Sequence, residues 1–236
     1  TGIPLHIFGS QRAQHQISDV FRKALKAPAV TVLPQGFGAL CLAISTNSAL
    51  AQGRVALVDI GSRTTELICF SDGQYLNHES AGVVLGVGQM YTQVAQKLSS
   101  QHQRQIDAYE VDWALREDKP IKIKGGVVER QALEALVQHY ARPLATRLHN
   151  EMTRLWKEGA PGIDHLLYCG GGSALLASYL GHFRDDFTIL PESQFTNAAG
   201  YLEYIRLTST DQTRAQDHGA EDTPQRDASA QKASHA

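Results

Sequence analysis

Apolar and polar residues along this chain fall into two rhythms. Ile17, Val20, Phe21 and Leu25 recur at helical spacing behind Ser10, a good cap. They predict a helix from Gln11 to Leu25. Residues 29–33 read as a short buried strand that Pro34 ends, and residues 35–51 as a buried helix. Arg54 to Ile60 is a continuous apolar run with a single acid near its end. Residues 65–70 return as its partner, and Ser71-Asp72-Gly73 turns the chain into a third strand at 74–80. Helical spacing resumes at 85–98, where Met90, Val94 and Leu98 share a face.

The next stretch, 103–126, is more polar and reads as a short helix after Asp107 with a strand at 121–124. Gly125-Gly126 breaks it. Residues 127–157 fit one long amphipathic helix, with Pro143 as a possible bend. Residues 163–169 form a buried strand that runs into three glycines and a helix from Ser173. A last strand falls at 187–190 and a last helix at 194–207. Residues 208–236 hold no Val, Ile, Leu, Met, Phe, Tyr or Trp and read as a disordered tail. Its five acids and three bases, taken from totals of 24 and 22, leave 19 of each in the folded part.

That neutrality, a net charge of -2 and 42% hydrophobic residues describe an ordinary globular protein. Nothing in them points to direct nucleic-acid contact or to an anionic membrane surface. No apolar stretch approaches the roughly 18 residues of a membrane helix. Cys41, Cys69 and Cys169 each sit in an apolar run and read as buried small hydrophobes in a reducing cytoplasm. The ten histidines are scattered without metal-ligand spacing. Trp113 and Trp156 read as anchors of a smaller subdomain. Lys122, Lys124 and Arg130 read as a solvated basic face.

Four segments carry candidate chemistry. In Val58-Asp59-Ile60-Gly61-Ser62-Arg63-Thr64-Thr65-Glu66, a buried strand delivers one carboxylate to the edge of a tight polar turn. Such a turn aims backbone amides into a concavity that suits phosphate, and Asp59 could hold Mg²⁺ through water. A plain hairpin with a turn aspartate also accounts for this segment read alone. In Cys169-Gly170-Gly171-Gly172-Ser173, glycines without Cβ let a flat ligand approach the backbone, and the helix start favours an anion. The spacing is neither a dinucleotide fingerprint nor a Walker A loop. Gln35 stands where a strand gives way to a helix and could orient an attacking water, although a solvated glutamine reads the same. Gly86, before a helix, allows close approach to a ribose, as would any strand-to-helix loop.

Taken in order, these segments resemble the actin, Hsp70 and sugar-kinase superfamily, and within it the ParM-type plasmid-segregation actins. The 58–66 segment is similar to the second phosphate loop, with Ser62 and Arg63 where two glycines are usual. The triple glycine is similar to the adenosine motif, Pro34-Gln35 to a Pro-Glu/Gln pair, and residues 1–5 to a strand-end "GLPL" segment. Residues 193–201, with Asn197 and Gly200, look like the closing helix.

The resemblance covers about residues 1–205. It implies an α/β, ribonuclease-H-like actin fold: a mixed sheet flanked by helices, with a small inserted subdomain near 103–126. Residues 1–53 would end a first actin domain, 54–207 would form the second, and the first phosphate loop would lie upstream. It implies Mg²⁺ and ATP as cofactors. Gln35 and Asp59 would be catalytic, Gly61 to Thr65 would cradle phosphate, and Gly86 with Gly170, Gly171, Gly172 and Ser173 would hold adenosine. It implies self-association into filaments turned over by ATP hydrolysis in a bacterial cytoplasm, and a centromere-binding adaptor protein on plasmid DNA. Alone, this stretch would hydrolyse little ATP. A non-polymerising scaffold and a small-molecule kinase of the same superfamily remain open, but no sugar-site aspartate follows Gly61.

Overall fold

The two apolar runs pair as expected. β3 (Arg54–Ile60) and β4 (Thr65–Ser71) run antiparallel in full register, from Arg54 opposite Ser71 to Ile60 opposite Thr65. Both strands are buried on both faces. Their apolar residues are therefore continuous rather than alternating, because helices cover the sheet above and below. The computed structural model describes residues 1–218.

The chain enters with β1 (Gly2–Ile3), a short α1 (Leu5–Phe8) and α2 (Gln11–Leu25). The Ser10 side chain accepts from the Ala13 amide and starts α2 as expected. The apolar stripe of this helix, however, is open: Val20, Phe21 and Leu25 are 63%, 39% and 68% exposed. The strand expected at 29–33 shrinks to β2 (Leu33–Pro34), because its pairing partner is the two-residue β1, in parallel. α3 (Phe37–Thr46) then carries the chain into β3, with a 3₁₀ turn at Ser48–Ala51 ending what the sequence suggested was one helix.

After β4 come β5 (Gln74–Tyr75) and β6 (Ala81–Val83), both paired with β4, in place of the one strand expected at 74–80. α4 (Val87–His102) and α5 (Ala108–Arg116) follow, and the Asp107 carboxylate caps α5 by accepting from the Glu110 amide. β7 (Ile121–Ile123) pairs with β8 (Gly126–Val128), a strand the pattern assigned to the next helix. α6 (Arg130–Trp156) continues through Pro143. β9 (His165–Cys169), α7 (Ser173–Leu180), β10 (Phe187–Ile189) and α8 (Thr196–His218) complete the chain. α8 thus runs past Leu207 into the stretch expected to be tail, and residues 219–236 lie outside the described residues.

The main sheet has the order β10-β9-β3-β4-β5, with β6 also on β4. β10, β9 and β3 are parallel while β4 runs against them, so the sheet is mixed as expected. One face packs Ala56, Val58 and Ile60 under α4, α6 and α7. The other packs Val55, Leu57, Ile68 and Phe70 under α3. α8 lies on the outer side of α3, where Tyr204 meets Phe37 edge-on. The two tryptophans part company: Trp156 is buried and donates to the Glu79 carbonyl, while Trp113 is 41% exposed. The three cysteines are free and buried. Arg130 is not a bare cation but pairs with Asp118 and Glu134. Among the described residues, no helix is long and apolar enough to cross a membrane.

Candidate functional site

Three turns meet at the C-terminal end of β3. The turn 61–64 closes on itself, with the Gly61 amide donating to the Thr64 carbonyl at 2.9 Å. It is then clamped from the α4 side, where the Val87 amide donates to Gly61 O at 3.1 Å and the Gly88 amide to Ser62 O at 2.8 Å. From the third turn, the Gly172 amide donates to Ile60 O at 2.9 Å. Among the described residues, the amides of Ser62, Arg63 and Thr64 donate to no protein acceptor. Three adjacent free donors in one turn form a cradle for an anion. Arg63 is exposed beside them.

Asp59 sits at the rim of this turn with 3% of its surface exposed. Its Oδ2 accepts from the Asn197 side-chain amide at 2.7 Å and from the Gln35 side-chain amide at 3.4 Å. Burial pushes its pKa up, and the hydrogen bonds from Asn197 and Gln35 oppose that shift. A buried carboxylate whose charge costs the fold free energy gains when a cation approaches. Among the described residues, no cluster of three or more His, Cys, Asp or Glu side chains could hold a metal. A lone carboxylate such as Asp59 could serve a Mg²⁺ ion only together with waters and substrate phosphates.

The structure separates the three glycines that sequence treats alike. Gly170 has φ +85°, and a Cβ on it would lie 2.4 Å from both Asp59 Oδ1 and Ile60 O. A Cβ on Gly172 would lie 2.6 Å from Val87 Cγ1 and 2.7 Å from Ile60 Cγ2. Gly171 is open, with nothing nearer than Gln194 Cγ at 3.8 Å. Gly170→Ala is therefore expected to cost about 2–4 kcal/mol in urea unfolding, through left-handed backbone strain plus overpacking, whereas Gly171→Ala should stay within about 0.5 kcal/mol. Equal losses for the two variants would refute this division.

Beside these turns opens a cleft of about 450 Å³, lined by Ser62, Gly88, Gly171 and Gly172. Tyr91 from α4 and Tyr109, Asp112 and Arg116 from α5 also line it, and Gln194 stands beside Gly171. Asp112 and Arg116 pair at 2.8 Å. A roomier groove of about 640 Å³ lies between α6 and α7 and contains none of the residues of the three turns. The smaller cleft is the one that borders the three turns, through Ser62, Gly88, Gly171 and Gly172.

Several expected ligands are turned inward instead. The Thr65 hydroxyl donates to Leu85 O at 2.7 Å, and the Ser173 hydroxyl donates to Gly170 O at 2.9 Å. Gly86 faces protein: a Cβ there would meet Ser62 C and O at 2.5 and 2.4 Å. Asn197 stood in the sequence only as a matching position. In the structure its Oδ1 accepts from the Gly36 and Ala39 amides at 3.0 and 3.3 Å, so it caps α3 while its amide holds Asp59. The aromatic and charged wall from α4 and α5 carried no local signal at all.

This architecture has known counterparts. A structure of a non-polymerisable quadruple mutant of pCBH ParM superposes with a TM-score of 0.73 at 22% identity, covering 88% of this chain and 67% of the other. The 15-stranded ParM filament from Clostridium botulinum gives 0.70 at 21%, covering 86% and 65%. Ta0583, an archaeal actin homologue in complex with ADP, gives 0.63 at 22%, covering 73% and 56%. The chain thus spans about half to two thirds of the length of these structures, and at such identities the likeness speaks for the fold, an actin fold. No curated protein matches the sequence. Residues 57–182, more than half of the chain, match the family model for the C-terminal domain of archaeal MreB-like actin homologues. That span runs from β3 through the 61–64 turn, α5, the β7–β8 hairpin and the triple glycine to α7, so the chain belongs to this family of actin homologues.

Proposed function

We propose that the protein binds Mg·ATP in this cleft and assembles into filaments that ATP hydrolysis turns over, with plasmid segregation as the setting. The observation that carries the reading is a turn, 62–64, whose amides have no protein acceptor and which follows directly on a buried carboxylate held by two side-chain amides. The named neighbours support it, since one is a filament and another an ADP complex.

Each residue then has a task. The Ser62, Arg63 and Thr64 amides, with the Arg63 guanidinium, bind the phosphate oxygens. Asp59 would hold the Mg²⁺ ion, which when bound would supply charge neutralisation at the phosphates. Gln35 donates its amide to Asp59, which leaves its carbonyl oxygen to accept a hydrogen bond from the attacking water and orient it. Gly171 and the Tyr91–Tyr109 wall border the nucleoside. Other copies of the chain are the filament partners, and a centromere-binding adaptor links the filament to DNA without direct contact between filament and DNA.

The test is assembly of the full-length protein with Mg·ATP, followed by light scattering and phosphate release. Scattering should rise with ATP and decay as phosphate appears. Asp59→Asn should slow phosphate release by roughly 100-fold or more, in the range seen when one preorganised electrostatic group is lost, and its filaments should persist. Nucleotide binding without assembly would discard the filament reading.

A further inference from the structure

The roomier groove between α6 and α7 takes no part in this mechanism, and its lining has one chemical character. Arg142, His149 and Asn150 of α6 line it at helical spacing. Ser178 and Tyr179 of α7, with His182 just beyond that helix, line it too. These are a guanidinium, two imidazoles, an amide and two hydroxyls, and no acid lines the groove. The sequence accounts for the lack: residues 135–150 of α6 hold two arginines and two histidines but neither Asp nor Glu. The volume, about 640 Å³, is that of a small-molecule site.

Arg116, Arg130, Arg154 and Arg184 each pair with a nearby carboxylate. Arg142 differs. It makes no ion pair among the described residues, and no acid stands three or four positions from it on the helix. His149 is held in place from outside the lining. Its ring meets Phe183 edge-on at 5.5 Å, and its Nε2 lies 3.1 Å from Glu158 Oε2, which also accepts from the Thr153 hydroxyl at 2.9 Å. The ring is thus oriented through one nitrogen, and Nδ1 is left to a ligand. The groove lies at the C-terminal end of α7, whose other end starts beside the three glycines, and it shares no lining residue with the cleft.

We propose that this groove is a second binding site, for a small molecule that presents a phosphate group. The Arg142 guanidinium supplies a planar fork of N–H donors that matches two phosphate oxygens. The imidazoles of His149 and His182, the Asn150 amide and the two hydroxyls serve the remaining oxygens and the body of the ligand. A single carboxylate, with two oxygens, would leave most of these donors unused. The carbonyls at the end of α7 disfavour an anion, but that effect is smaller than one charge-assisted hydrogen bond and is screened by salt. The site stands whether or not the cleft binds nucleotide.

NMR of the histidine rings in the full-length protein tests this, with His149→Gln and His182→Gln assigning the two signals. Inorganic phosphate is the probe, and acetate at the same pH and ionic strength is the control. Phosphate should move both signals saturably, and acetate should leave them in place. Arg142→Gln should weaken the phosphate response about tenfold or more, as expected for a lost charge-assisted hydrogen bond. Ser178→Asp, which sets an acid in the groove, should abolish it. Both residues are exposed, so the variants should fold, and unchanged signals from the other histidines check that they do. Phosphate taken up by the 62–64 turn would not touch these two rings, since that turn adds only Ser62 to the cleft and nothing to the groove. No response in the wild type, an equal response to acetate, or wild-type phosphate binding in either variant overturns the proposal.

Discussion

Gly200→Ala is expected to destabilise the chain by about 3 kcal/mol or more, at or above the usual range for overpacking. A Cβ at 200 would lie 1.6 Å from Gly38 O and 2.3 Å from Gly38 C. The obstacle is the backbone of α3 and not a side chain that could swing aside. The contact is reciprocal, since a Cβ on Gly38 would lie 2.3 Å from Asn197 O. Relief requires α8 to move off α3, and with it Asn197 off Asp59. Against a total stability of roughly 5–15 kcal/mol, such a loss leaves a substantial unfolded fraction at physiological temperature. Urea unfolding should show a large drop in midpoint, while Gly126→Ala, with open space around it, should stay within about 0.5 kcal/mol. Wild-type stability in Gly200→Ala would mean that the two helices do not touch through their backbones.

Asn197 should show the next largest effect, and its two replacements should fail differently. Asn197→Ala strips the Gly36 and Ala39 amides of their acceptor and Asp59 of its nearest donor. Partly buried groups left unpaired in this way cost about 1–3 kcal/mol each. The expected loss is about 2–4 kcal/mol, with nucleotide affinity falling alongside. Asn197→Asp keeps an acceptor at the positive end of α3 but sets a second carboxylate in hydrogen-bond range of Asp59.

Such a pair cannot readily carry two charges, so its folded-state pKa rises further above the unfolded value than burial alone raises that of Asp59. A raised folded pKa contributes stability that is complete below the unfolded pKa and is lost as pH rises through the folded one. The Asp variant should therefore be nearly as stable as wild type in acid and weaken toward neutral pH. The Ala variant should be weak throughout. Melting curves across pH decide this, and a pH-independent Asp variant would remove the contact from the argument.

Much of the fold was legible because its causes are local. Ser10 and Asp107 cap their helices by bonding three residues ahead, and Ser71-Asp72-Gly73 turns a hairpin within its own length. The β3–β4 pair declared itself through two apolar runs joined by a short turn. The same locality exposed Asp59 and the 61–64 turn, since a strand end and its turn are adjacent in sequence.

Local pattern failed where the deciding partner was distant. The stretch 29–33 has the composition of a full strand, but only two residues of β1 were available to pair with it. α2 has a well-spaced apolar stripe, but no described element covers Val20 and Leu25. Gly170, Gly171 and Gly172 are the same residue in sequence. Only the end of β3, packed against two of them, assigns strain to one, close packing to another and openness to the third. The resemblance put Thr65 in the phosphate cradle and Ser173 at the adenosine, yet nearby carbonyls accept from both hydroxyls.

The residues that hold the site in shape are separated in the chain by great distances: Asn197 from Gly36 by 161 residues, and Glu66 from Leu5 by 61. A hydrogen bond formed across such a loop leaves no periodicity behind. Spacing and caps were therefore enough to specify the β3–β4 pair, its turn and the acid at the end of β3. Which amide holds that acid, which glycine stays open and which hydroxyls are taken up by carbonyls were settled by packing, because each depends on what the folded chain brings within about 3 Å.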